Sequence, residues 1–104
     1  MAYPSKYTSA QVEILGVPST ARQLTAGSAS SNTALTTTVQ RISIRASGAD
    51  IRFSIGTGTQ TANGNTSNFI ANGERLDFAV PLGANIAIIR DGTVNGTLEL
   101  TELI

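Results

Sequence analysis

The strongest constraint on this chain is the alternation of residue type across residues 39–56, VQRISIRASGADIRFSIG. Successive side chains of a β-strand point to opposite faces. Ile42, Ile44 and Ala46 therefore share one face of a first strand, and Ile51, Phe53 and Ile55 share one face of a second. Between them stands Ser47-Gly48-Ala49-Asp50, with glycine where a type II′ turn demands a positive φ. The spacing predicts a β-hairpin centred on Gly48-Ala49. In it Ala46 faces Ile51, Ile44 faces Phe53 and Ile42 faces Ile55, so both apolar sets lie on one buried side.

The same grammar recurs along the chain. Residues 11–17 (QVEILGV) read as a strand that Pro18 either stops or marks as a sheet edge, and residues 22–25 as a short return strand. Residues 26–37 (AGSASSNTALTT) hold one large apolar side chain, Leu35, and are expected to form a loop or an irregular edge. A second polar loop spans residues 57–68 (TGTQTANGNTSN), turning at Asn63-Gly64. Further on, residues 74–80 (ERLDFAV) put Leu76, Phe78 and Val80 inward. Residues 85–90 (NIAIIR) are more continuously apolar, as in a strand covered on both sides. In the last run Leu98 and Leu100 face in, while Glu99 and Thr101 face out. Seven or eight short strands with glycine and asparagine turns predict an antiparallel β-sandwich or jelly roll. It would be a single domain over residues 11–104, with an extended N-terminal arm over residues 1–10. The expected core is Ile42, Ile44, Ile51, Phe53, Ile55, Leu76, Phe78, Ile86, Ile88, Leu98 and Leu100, and Phe69 also reads as core.

Chemistry is constrained by what the 104 residues lack. Seven basic and seven acidic side chains cancel, so no polyelectrolyte attraction to nucleic acid or an anionic membrane is expected. Cysteine, histidine and tryptophan are absent, which removes disulfides, the usual nitrogen and sulfur metal ligands, and the commonest proton-transfer group near neutral pH. Glu74 with Asp77, and Glu99 with Glu102, are each three apart on a strand and point to opposite faces, so neither makes a local acid/base pair. No cofactor, no metal and no enzymatic activity are expected.

The remaining candidates are surfaces. The hairpin register sets Arg45 opposite Arg52, with Arg41 on the same outward face, and like charges in direct opposition destabilise a sheet. Carboxylates of a neighbouring subunit (Asp77, Glu99 or Glu102) would relieve them. Alternatively the arginines splay into water, or Asp50 offsets them. The polar loops, with Thr57, Thr59, Asn63 and Asn65, are long enough to suggest contact with a partner, as are Tyr3 and Tyr7 of the arm.

From residue 39 onward the order of features resembles small all-β virion proteins of tailed bacteriophages, of the capsid decoration or cement type. The matching stretches are residues 41–46 (RISIRA), 50–56 (DIRFSIG), 69–73 (FIANG), 78–83 (FAVPLG), 84–89 (ANIAII) and 96–102 (GTLELTE). They are strands and turns, not catalytic residues. The resemblance implies a sandwich made in the host cytoplasm and carried on the virion. There it would bind the major capsid protein on the outer capsid surface as a homotrimer. Two alternatives stand beside it, a tail or neck component and a carbohydrate-binding module.

Overall fold

Runs of alternating residues become strands because each can bury one face, and the segments rich in glycine, asparagine and hydroxyls separate them. The computed structural model describes residues 16–104. The expected arm with Tyr3 and Tyr7, and all but the end of the strand expected over residues 11–17, lie outside the described residues. Eight strands follow one another: β1 (Pro18–Ala26), β2 (Ser31–Ala34), β3 (Arg41–Ser47), β4 (Ile51–Thr57), β5 (Asn68–Ile70), β6 (Arg75–Ala79), β7 (Ala84–Arg90) and β8 (Gly96–Leu103). They form two four-stranded sheets, ordered β1-β8-β3-β6 and β2-β7-β4-β5, with antiparallel strand pairs throughout.

The order has a simple logic. The first strand pairs with the last, the second with the seventh, the third with the sixth and the fourth with the fifth. One long antiparallel hairpin is thus rolled into a two-layer sandwich, which is the jelly roll. Its tip is the connection between β4 and β5.

This arrangement overturns the local hairpin expected at Gly48-Ala49. β3 lies between β8 and β6, whereas β4 lies between β7 and β5 in the other sheet. Ile44 is paired with Leu76 and Leu100, and Phe53 with Ile88 and Asn68. Ser47-Gly48-Ala49-Asp50 is a crossing between layers. Gly48 still needs its freedom, with φ at 90°. The crossing is tied by the Gly48 N–H to Asn72 Oδ1 at 2.9 Å and the Asp91 N–H to the Asp50 carbonyl at 3.1 Å. Alternation alone cannot separate the two cases, because a hairpin and a crossing turn the same side chains inward.

The core accordingly holds the expected residues. Ile42, Ile44, Ile51, Phe53, Ile86, Ile88, Leu98 and Leu100 are buried, with Ile55, Leu76 and Phe78 half-buried against them. Phe53 and Phe78 come from opposite sheets and meet with ring centroids 5.6 Å apart at 52°. Leu35, Val39 and Ile70 join the core from a strand end and the crossings. Phe69 does not: it is 43% exposed on the outer side of β5.

Two further segments differ from expectation. Residues 26–37 contain β2, a regular edge strand that pairs with β7 from Ser31 opposite Ile88 to Ala34 opposite Asn85. The short return strand is the longer β1, starting at Pro18 on the sheet edge with a bulge between Pro18 and Ala21. Val17 extends the β1–β8 ladder by exchanging two backbone hydrogen bonds with Ile104, at 2.8 and 2.9 Å.

Replacing Phe53 with alanine removes the ring that joins the two layers and leaves a cavity, and it should cost about 3–5 kcal/mol. Urea denaturation at neutral pH is the check, with an unchanged m-value expected.

Candidate interaction surface

The sandwich has two outer faces, and the arginines are divided between them. On the β1-β8-β3-β6 sheet one row crosses all four strands: Gln23, Glu99, Arg45 and Arg75. Arg52 belongs to the opposite sheet, so the expected opposition of Arg45 and Arg52 does not exist. Arg45 instead has Arg75 on one side and Glu99 on the other. Arg75 turns aside to donate to Ser43 Oγ at 2.8 Å and lies 3.5 Å from Asp77. Glu99 turns towards Gln23, whose Nε2 donates to both of its oxygens at 3.3 and 3.2 Å. Among the described residues the ion pairs are Arg22–Glu102, Arg52–Asp91 and Arg75–Asp77, and neither Arg41 nor Arg45 takes part in one. A shallow groove of about 360 Å³ runs beside Arg45 and Arg75, floored by Ser43 and Thr101.

The other outer face is crossed by the polar connection between β4 and β5. Gln60 anchors it, with its backbone N–H on Asn32 Oδ1 at 2.9 Å and its Oε1 accepting from Ser54 Oγ at 3.0 Å. The Ala62 N–H donates to Ser30 Oγ at 2.8 Å. Gly56 makes room for this strap, since a Cβ there would sit 2.8 Å from Gln60 Nε2. Beneath it Ala87 is fully buried although it points outward, which explains the continuous apolar character of residues 85–90. Asn63 turns inward on its own loop, its Oδ1 accepting from the N–H groups of Asn65 at 2.8 Å and Thr66 at 3.3 Å. Thr57, Thr59, Asn63 and Asn65 are all exposed on this strap. Next to it Arg52 bonds Asp91 Oδ1 at 2.8 Å and the Ser67 carbonyl at 3.0 Å, with its guanidinium 5.0 Å from the Phe69 ring centroid. Nothing in the alternation signalled that Phe69 would be a surface ring covered by an arginine.

At the sheet-crossing end, Asp50, Asn72 and Asp91 line a second depression of about 320 Å³ with Val94. Both carboxylates serve the fold there, Asp50 Oδ1 accepting the Asn72 N–H at 2.7 Å and Asp91 holding Arg52.

Glu102 was a candidate for an intersubunit contact and is instead the buried charge of the core, with 0% exposure. Strand alternation places it on the face of Leu98 and Leu100. Its Oε1 accepts from Thr36 Oγ1 at 2.7 Å, and its Oε2 from the Thr36 N–H at 3.0 Å and Arg22 Nη2 at 3.1 Å. Burial opposes ionisation, but the Thr36 and Arg22 hydrogen bonds and the Arg22 charge outweigh it and hold the carboxyl below its ordinary value. A depressed carboxylate contributes stability above the unfolded pKa of about 4.3, and loses it as pH falls through the folded value. Glu102→Gln should therefore cost about 1–3 kcal/mol at pH 7 and flatten the acid limb of stability against pH. Denaturant titrations between pH 7 and pH 3 measure both. Compared with known proteins, the chain matches no family model, no curated protein and no solved structure.

Proposed function

We propose that the chain is a non-enzymatic structural protein of a tailed-phage particle, a decoration protein that binds the outer capsid surface and stabilises the head. The observation that carries this reading is the rolled hairpin itself. An eight-stranded jelly roll is an architecture of viral capsid and lectin domains. The step from that fold to the capsid is an analogy, supported by the stretches that resemble phage virion proteins. The distribution of polar groups agrees with it. Gln60, Ser30 and Asn63 tie the loops to the body of the chain, which leaves the exposed Thr57, Thr59 and Asn65, with Arg41 and Arg45, to meet polar groups and carboxylates of a capsid subunit. Each contact is weak alone, and copies held on one particle reinforce one another.

A second reading, carbohydrate binding, is favoured by Phe69, whose ring is 43% exposed with Arg52 over one face, since sugar sites commonly stack a pyranose on an aromatic face.

The test uses heads of the encoding phage assembled without this protein. Purified protein should sediment with them and raise the temperature at which they disrupt. Arg41→Ser together with Arg45→Ser should weaken binding about tenfold, a change of about 1.4 kcal/mol. Binding to isolated tails but not heads would move the assignment to the tail or neck. Glycan binding without particle binding would select the second reading.

A further inference from the structure

Every open sheet ends in strands whose outer backbone groups lack a partner, and each such edge can accept another chain. The two sheets have four edges. β2 has four residues and β5 three, too short to offer much ladder. β6 has five, with Arg75 and Asp77 exposed, and charge on an edge is a device that discourages pairing. β1 is different. It has nine residues and is guarded only at its start, by Pro18 and the bulge before Ala21. From Ala21 to Ala26 its ladder with β8 is regular, and among the described residues no strand lies on its far side.

We infer that β1 is a self-association edge, on which β1 of a second copy pairs antiparallel about a two-fold axis centred near Gln23. The inference goes beyond the capsid reading, does not rest on it, and puts a two-fold pair in place of the homotrimer that the resemblance implies. A two-fold axis makes each residue meet its own counterpart, so a like charge at the centre is excluded. The outward side chains here are Ala21, Gln23 and Thr25, exposed and neutral. The charged residue of the segment, Arg22, turns inward to Glu102. Centred on Gln23, the register sets Ala21 against Thr25 and Arg22 against Leu24 of the partner, with no like-charge opposition. It also covers the edge of the half-buried Leu24. The product is one eight-stranded sheet shared by two sandwiches. The partner is a second copy because the edge is neutral and complementary to itself.

The chain has no cysteine, so a single introduced thiol reports one contact. Directly opposed residues in an antiparallel pair have Cα atoms about 4.5–5.5 Å apart, within disulfide reach. Native mass measurement of the full chain over a range of concentrations should give two copies, or a higher even number. Gln23→Cys should form a covalent dimer on mild oxidation, and Asp77→Cys on the β6 edge should not. Gln23→Lys places its ammonium beside Glu99 in its own chain but opposite its counterpart across the axis. It should keep the fold by circular dichroism while weakening the dimer at least tenfold. A monomer at all concentrations, or three copies without the 23–23 link, overturns the proposal. So does a dimer that ignores Gln23→Lys, or one lost on removing residues 1–15 while the 23–23 link fails to form.

Discussion

Antiparallel pairing of the first described strand with the last holds this structure closed. The β1–β8 ladder joins Pro18 to Leu103 and Ala26 to Gly96, and Val17 and Ile104 lengthen it by one more pair. Each later pairing lies nested inside it, down to β4 with β5. Almost all strand contacts are therefore remote in sequence, and their loop-closure entropy must be met before burial of the core repays it. The isoleucines and leucines of both layers supply that repayment together. Neither sheet has a covered face without the other.

Polar side chains follow from the same geometry. A chain that crosses between layers six times must satisfy backbone groups at every crossing, and here amides, hydroxyls and carboxylates do much of that work. Asn72 and Asp50 bind one crossing together, Glu102 receives the backbone of Thr36 at another, and Asn63 closes its own turn. Part of the asparagine, serine and threonine in the loops, including Ser30, Thr36, Asn63, Ser67 and Asn72, is thus structural. Arg52 has the same character, tying the strap and Asp91 to the sheet. Arg45 stands apart because the neighbouring Glu99 bonds Gln23 instead, and Arg41 because its cross-strand neighbours, Ala79 and Leu103, carry no charge.

Face-by-face burial was legible in the sequence. Period-two alternation named the core of β3, β4, β6, β7 and β8; the spacing of Glu102 to Leu98 and Leu100 also marks it as inward, but it was read as a surface carboxylate because a charge is normally kept in water. Partner choice was not legible. Ile44 and Phe53 were correctly read as buried, but their true neighbours lie 15 to 56 residues away, and no local pattern encodes which sheet a strand joins. β2 was hidden for a related reason: an edge strand of serine, asparagine, threonine and alanine buries little and so carries no hydrophobic signature. Phe69 was misread because a ring is normally spent on the core, and the arginine that shelters it outside arrives from a neighbouring strand.

Val17 and Ile104 sit side by side at one end of the sandwich, and this has a mechanical meaning. Tension applied between them would load the outermost ladder as a zipper, opening its hydrogen bonds one after another. A pull along the strands at opposite ends would instead stress many bonds at once. The body should thus resist shear far better than peeling, and a molecule under load would be safest when gripped by its broad faces.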